Sequence, residues 1–572
     1  MYDRDATLQA IRERRRFPVV IIGAGINGAG LFRDLALQGV DCLLIDRGDF
    51  GGGTSAAPSR LIHGGLKYLE TGEFDLVAES ARERNRLLRN APHYVKPLPS
   101  VVPVHSRFGG TLGAALHFLR LSTRGFERGG LVLRLGLALY DWLGRHDRVM
   151  PRYRYLGREQ ALQTLPDLRE DIVGLGCYYD ARVTYAERLT LELVLDGLAT
   201  NPRCAALNYA AAVDRDTSAL IVEDGETGER LAVEPEIAVN AGGPWIDHVN
   251  GALRSRTRYV GGSKGSHLVL DHPELRRELD GRMVYFGASD GRICLAYPFF
   301  DHVLVGSTDI PVDDPDAVIC DDTEIDYMLA EVGKLFPTLR IAQEQVVYHY
   351  VGVRPLPAVD ADDPGKVPRS HSVQVDEPKD DRAFPVLSLI GGKWTTFRNF
   401  AEEVADDVLQ RLRHQRQCPT HNEPIGGGRD YPTDPTATDA LAEQISRRTE
   451  LPTEDTKRLL ERYGTRAEAV AKAIQADGAQ RLTTQPTYFR GEIQFLCQAE
   501  AVCRLTDILL RRTALALTGN ADPATVAEIA DIAAEHCHWT ETRRHHEIEA
   551  ATLSVNVTPD SSRRGTCVIS GH

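Results

Sequence analysis

Pro18 to Gly30 reads PVVIIGAGINGAG. Its four apolar residues, Val19, Val20, Ile21 and Ile22, predict a short buried parallel strand. Glycines follow at the spacing Gly23-x-Gly25-x-x-Gly28, with Gly30 two further on. Gly23 permits a tight turn, Gly25 leaves room for a pyrophosphate, and Gly28 and Gly30 let a helix pack close to the sheet. The free N–H groups at that helix start attract phosphates. The next apolar run, Asp41 to Ile45, ends at Asp46, an acid placed to bond a ribose hydroxyl. Strand, glycine turn, helix and acid come in the order an adenine-dinucleotide site needs, with the acid about 20 residues on. The blander alternative is a glycine-rich turn in an unrelated α/β domain.

The 572 residues leave room for two or three domains, and 42% hydrophobic with 26% charged residues is an ordinary globular balance. A net charge of −14 argues against general nucleic-acid binding, though not against a local basic patch. The 10 cysteines are scattered with no Cys-x-x-Cys, so no metal site is expected, and they read as reduced thiols in a cytoplasmic protein. The N-terminal MYDRDATLQAIRERRRF lacks the apolar core of a signal peptide. No uninterrupted apolar window of about 18 residues predicts a membrane span.

Along the chain, residues 1–17 predict a short helix or an arm. GGGTSAAPSRLIHGGLKYLE (51–70) puts small residues directly after the ribose acid, which suits a segment lying against an extended cofactor. Residues 75–90 read as a charged amphipathic helix. Between 107 and 158 lie Arg107, Arg120, Arg124, Arg128, Arg134, Arg145, Arg148, Arg152, Arg154 and Arg158, against only Glu127, Asp141 and Asp147. A basic amphipathic surface with Leu, Phe and Trp suits anionic lipid headgroups; a core helix with arginines on its wet face is the alternative. IAVNAGGPW (237–245) and LSLIGGKWTTF (387–397) are further strand–glycine returns towards the cofactor. Residues 411–430 read as a linker, 435–550 as helical, and the Pro-, Ser- and Gly-containing tail from 554 as mobile.

Taken together, GAGINGAG (23–30), TS…SRLIHGGLKYLE (54–70), LYDWLG (139–144), DARVTYAERL (180–189), NAGGPW (240–245), KGSH (264–267), PFFD…VGSTD (298–309), GVRPL (352–356) and GGKWTTFR (391–398) resemble the FAD-dependent sn-glycerol-3-phosphate dehydrogenases, in the flavoenzyme superfamily of D-amino-acid oxidase. The resemblance covers most of residues 18–410 and, more loosely, the helical region beyond. Lys67 stands where many members have Arg, Gly242 where Thr is common, Trp394 where Leu is common, and Asp46 where Glu is usual. The Lys67 change keeps a cation but loses the bidentate fork of an arginine.

The resemblance implies an α/β fold: a Rossmann-like FAD-binding domain (18–101, 188–250 and 385–410), an interleaved α+β substrate-binding and membrane-facing domain (102–187 and 251–384), the linker 411–430, a helical C-terminal domain (431–553) and the tail 554–572. It implies oxidation of glycerol 3-phosphate to dihydroxyacetone phosphate with FAD taking a hydride. The substrate's phosphate dianion calls for cations, and Arg354, Lys393, Lys67 and Arg369 are the candidates, with a Tyr68 hydroxyl as donor. His267 is the candidate base for the alcohol proton, with Arg354 holding the developing oxyanion. Cofactor contacts are expected at Gly23, Gly25, Asn27, Gly28, Asp46, Thr54, Ser55, Ser59, Arg60, Leu61, His63, Gly243, Gly391, Gly392 and Thr395. Respiratory members reduce a quinone at the cytoplasmic membrane face, so quinone and an anionic lipid surface are the expected partners, and a second copy of the chain is a candidate one. Rivals are a glycerol-3-phosphate oxidase that uses oxygen, an amine or amino-acid oxidase of the same superfamily, and a non-enzymatic flavin scaffold.

Overall fold

Strand β1 (Arg16–Ile22) lies inside a parallel sheet and is covered on both faces. Val19 and Ile21 point into one apolar layer, Val20 and Ile22 into the other. That is why its apolar run is continuous instead of alternating. The computed structural model describes residues 2–65, 73–106, 130–145, 149–358 and 370–555. Lys67, Tyr68, Arg369, the arginines at 107, 120, 124, 128 and 148, and the tail from 556 lie outside the described residues.

From edge to edge the first sheet runs β17 (Ser372–Asp376), β18 (Val386–Ile390), β10 (Arg230–Asn240), β1, β2 (Cys42–Ile45) and β7 (Ala205–Leu207). Its pairs are parallel except β17 with β18. A hairpin of β8 (Ala210–Arg215) and β9 (Leu220–Asp224) extends antiparallel from the first part of β10. Helix α2 (Ile26–Leu37) and the helices Ala186–Thr200 and Phe397–Leu412 bury Leu31, Phe32, Leu189 and Phe400 on the Val19 face. Helix α1 (Arg4–Arg14) buries Leu8 and Ile11 on the other. The Asp3 carboxylate caps α1 by accepting from Ala6 N–H, and Arg12 and Arg14 complement its carboxyl end.

The second sheet runs β15 (Ile310–Val312), β11 (Val260–Leu270), β14 (His302–Gly306), β13 (Ile293–Phe299), β12 (Met283–Gly287), β4 (Val95–Val104), β6 (Gly174–Val183) and β3 (Leu61–Ile62). β16 (Val346–Pro357) pairs along β11, and β5 (Arg154–Gly157) along β6. Three strands cross the domain boundaries expected from sequence. β3 and most of β4 belong to the second sheet, and β17 edges the first. A cut at residue 101 would sever the unbroken β4–β6 ladder, which runs from Val95↔Val183 to Val104↔Gly174.

The expected linker is a fixed tether. Gln38 Oε1 accepts from the N–H groups of Gln417 and Cys418, and Arg416 pairs with Asp34 at 2.9 Å. Beyond it, helices Pro435–Thr449, Thr453–Tyr463, Ala467–Ala476, Arg490–Ala499, Pro523–His536 and Glu541–Val555 build a third body whose apolar core also takes in Val269, Leu304, Tyr348 and Tyr350 of the second sheet. Buried charges join that body to the rest. Arg188 grips both oxygens of Glu500 at 2.9 Å, and Arg466 reaches the same carboxylate at 3.1 Å. Burial disfavours the Glu500 charge, but Arg188 and Arg466 outweigh it and hold the carboxyl down to about 2. Glu500→Ala therefore leaves Arg188 buried without its main counter-ion, at a cost of about 3–5 kcal/mol. It should lower the thermal unfolding midpoint by several degrees, whereas Arg12→Ala, which breaks the exposed pair with Glu229, should barely move it.

Candidate active site

A cleft of about 400 Å³ runs past the carboxyl ends of β1, β2, β10 and β18. Crevices at such strand ends are where open parallel sheets bind ligands. Gly23, Gly25, Asn27, Asp46, Thr54, Ser55, Gly243, Gly391, Gly392 and Lys393 line it. Gly28 lies just beneath, where a Cβ would sit 1.9 Å from the Gly23 carbonyl oxygen. Only glycine allows α2 to start so close to β1. The N-cap of α2 is Gly25, which offers no side-chain cap, and Ile26 N–H donates to Ser55 Oγ at 2.8 Å.

Asp46 Oδ2 accepts from Ala24 N–H at 2.6 Å and Oδ1 from Gly48 N–H at 2.8 Å. Burial still pushes its carboxyl above the usual range. A ribose hydroxyl can donate into the lone pairs that remain. Asn27 Nδ2 donates to the Gly391 carbonyl at 3.4 Å, while its buried Oδ1 has no hydrogen-bond partner among the described residues. A helix start whose N-cap glycine offers no side chain fits the pyrophosphate of an FAD, and the acid after β2 and the orphaned Asn27 acceptor fit its hydroxyl donors. Trp394 belongs to the cleft wall, with its indole N–H donating to Ser55 O at 3.2 Å.

A second constellation adjoins the cleft. Thr54 Oγ1 donates to Val353 O at 2.6 Å, fastening the cleft loop to β16. Arg354 on β16 stands opposite Ser263 on β11, and Tyr350 opposite His267. The Arg354 guanidinium lies across Gly265, where a Cβ would be 2.2 Å from Nη2. Its Nη1 meets Asp309 Oδ1 at 3.0 Å, and Nη2 donates to Ser307 Oγ and Thr308 O, each at 3.1 Å. His267 is 2% exposed and stacks on Tyr350 with ring centroids 5.0 Å apart. Its Nε2 is 2.8 Å from Ser59 Oγ. Burial first, then the charges of Arg354 and Arg60, bring the imidazole down to about 3. His267 is therefore neutral near pH 7.

The segment after the cleft loop behaves differently from the sequence expectation. The side chain of Arg60, a residue expected at the cofactor, lies in a core ion pair. It is fully buried, grips both oxygens of Glu187 and lies 5.2 Å over the Phe299 ring. Its φ of 56° turns the side chain away from the extended path of its neighbours. Leu61 is buried in the strand β3, and the Ser59 hydroxyl is turned to His267. His63 N–H donates to Thr395 Oγ1 at 3.1 Å, tying the two glycine-rich turns together. None of these five residues lines the cleft. Lys264 of KGSH is equally structural, held by Glu324 at 2.6 Å.

Sequence reasoning missed several participants. Asp309 closes the VGSTD motif but was assigned no role. Trp245, in NAGGPW, donates its indole N–H to Asp316 at 2.8 Å, and Arg47 covers its ring at 4.5 Å. Arg504, Thr506 and Arg511 also line the cleft, from more than 450 residues beyond Asp46, and no local motif marks them.

Comparison with known proteins accords with this architecture. Residues 18–378 match the family model of FAD dependent oxidoreductases, and residues 418–544 match the C-terminal domain of alpha-glycerophosphate oxidase. A glycerol-3-phosphate dehydrogenase of Synechocystis sp. is 34% identical over 95% of this chain and 97% of its own. An aerobic glycerol-3-phosphate dehydrogenase of Staphylococcus epidermidis is 28% identical over 98% and 97%. The glycerol-3-phosphate dehydrogenase from Bacillus halodurans, solved in complex with FAD, shares the fold with a TM-score of 0.74 at 24% identity, covering 96% of both chains. Matched to the family model over residues 18–378, and to a relative along nearly its whole length, the chain belongs to the FAD-dependent glycerol-3-phosphate dehydrogenases.

Proposed function

We propose that the chain oxidises sn-glycerol 3-phosphate to dihydroxyacetone phosphate and hands the electrons to a quinone at an anionic membrane surface on the cytoplasmic side. The observation that carries the reaction is the neutral His267 one strand away from Arg354, beside a cleft that fits FAD. FAD, when bound, supplies the hydride acceptor. Arg354 and Lys393 are the described cations placed to hold the phosphate or the oxygen on carbon 2. His267 takes the hydroxyl proton, with Ser59 fixing its ring. A phosphate drawn to Arg354 offsets the charge that, after burial, depresses the imidazole, so substrate binding raises the basicity of His267. Lys67, Tyr68 and Arg369, the other proposed substrate contacts, lie outside the described residues.

The electron exit rests on the helix Gly130–Leu143. It leaves Leu131 50%, Leu135 65% and Trp142 55% exposed, with Arg134 and Arg145 among them. Such a face suits shallow insertion among anionic headgroups. Among the described residues, no helix is long and apolar enough to cross a membrane.

Anaerobic flavin bleaching by glycerol 3-phosphate, followed by quinone or oxygen, tests the whole sequence. Reoxidation by quinone but not by oxygen supports it, and stoichiometric hydrogen peroxide selects the oxidase instead. Arg354→Ala should raise KM and slow bleaching, and unchanged bleaching would reject its role. His267→Asn should cut the maximal bleaching rate about 100-fold or more. The same variant tests the buried neutral imidazole. The folded pKa of about 3 lies below the ordinary 6.5, so wild-type stability declines as pH falls through that window. His267→Asn should lose less stability there, by up to about 1.4 kcal/mol per pH unit. Leu135→Asp with Trp142→Asp should release the protein from anionic vesicles without changing bleaching in solution.

A further inference from the structure

Nothing in a glycine-rich turn or a ribose acid requires a C-terminal contribution to the cleft. Yet Arg504 and Thr506 line the same cleft as Asp46 and Ala210–Ala212. They are held there firmly. Asp507 Oδ2 accepts from the N–H groups of Cys503 and Arg504, both at 2.9 Å. Its Oδ1 accepts from Arg511 at 2.6 Å and from the Tyr209 hydroxyl at 2.5 Å. Arg511 and Arg512 in turn reach Asp49 at 2.5 Å, three residues beyond Asp46. Burial opposes the Asp49 charge, but Arg512 and Arg511 hold its carboxyl well below the usual range. The charges that anchor the C-terminal body thus anchor it to the ribose end of the cleft.

Arg504 is set for contact with a flat ring. Its guanidinium carbon lies 4.2 Å over the Tyr209 ring, and Nε donates to Glu226 Oε1 at 3.1 Å. The Arg504 side chain keeps 29% of its surface exposed and lines the cleft beside Tyr209. A guanidinium combines a stacking plane with N–H donors, which matches the π face and the ring-nitrogen acceptors of adenine.

We propose that Arg504 and Thr506 complete the adenosine half of the FAD site, with Arg504 stacking on or donating to the adenine. The C-terminal helical body is then part of the cofactor site as well as a support for it. This rests on the cleft holding FAD. FMN, which lacks the adenosine, separates the two ideas.

The test is titration of deflavinated full-length protein with FAD and with FMN, followed by flavin fluorescence, with a thermal melt of each variant as a folding control. Arg504→Ala should weaken FAD roughly ten-fold, the size of one lost stacking partner, and leave FMN unchanged. Thr506→Tyr, which fills the cleft from the C-terminal side, should do the same without touching the glycine motif. FAD binding by both variants at the wild-type affinity would overturn the proposal. So would an equal loss of FAD and FMN, which marks general loosening. Wild-type protein that binds FAD no better than FMN would remove the adenosine site itself.

Discussion

The whole molecule is arranged around one close approach. Helix α2 begins so near β1 that position 28 has no room for a side chain, since a Cβ there would overlap the Gly23 carbonyl. That closeness brings the first turn of α2, the Asp46 carboxylate and the residues after β10 around one crevice. The apolar layers on both faces of β1 hold the arrangement rigid, because moving α2 outward would open the core that Leu31 and Phe32 fill. The second sheet is tied to the same spot through Thr54 and Val353, so His267 on β11 and Arg354 on β16 are set relative to the cleft.

Charge follows a consistent division. In the interior Arg60 meets Glu187, Arg188 meets Glu500, Arg398 meets Glu83 and Arg512 meets Asp49. Pairing of this kind is what lets a buried charge persist, and its value lies more in uniqueness of packing than in net stability. Arg354 and Asp309 differ: their side chains keep 25% and 23% of their surface exposed. Under the proposed function a substrate phosphate would compete with Asp309 for the guanidinium at that half-wet position, exchanging one anion for another.

The parallel sheet, the cleft and the helical C-terminal body were legible in the sequence because their signals are local: an apolar run, glycine spacing, helical periodicity. The cleft residues from Gly23 to Ser55 share that advantage. The ion pair of Arg60 gave no local signal, because its partner Glu187 is 127 residues away. Lys264 stands three residues before His267, yet it is held by Glu324, 60 residues on. The domain boundaries shifted for a related reason. β3, β4 and β17 pair across segments that sequence order alone keeps apart. Arg504 and Thr506 gave no signal, since a cleft wall supplied by a remote turn needs no motif, only two bodies docked in one orientation.

The pairing of Asp49 with Arg512 spans 463 residues of chain. A ribosome adding residues at about 5–20 per second leaves that carboxylate waiting on the order of a minute for its partners. Until then the loop after β2 has a buried position to occupy and no counter-ion to occupy it with. Closing so long a loop adds little entropy beyond that of a shorter one, because the cost grows only with the logarithm of length. The delay is therefore one of sequence order and not of thermodynamics. A nascent protein truncated before residue 504 lacks both the cations for Asp49 and one wall of the crevice.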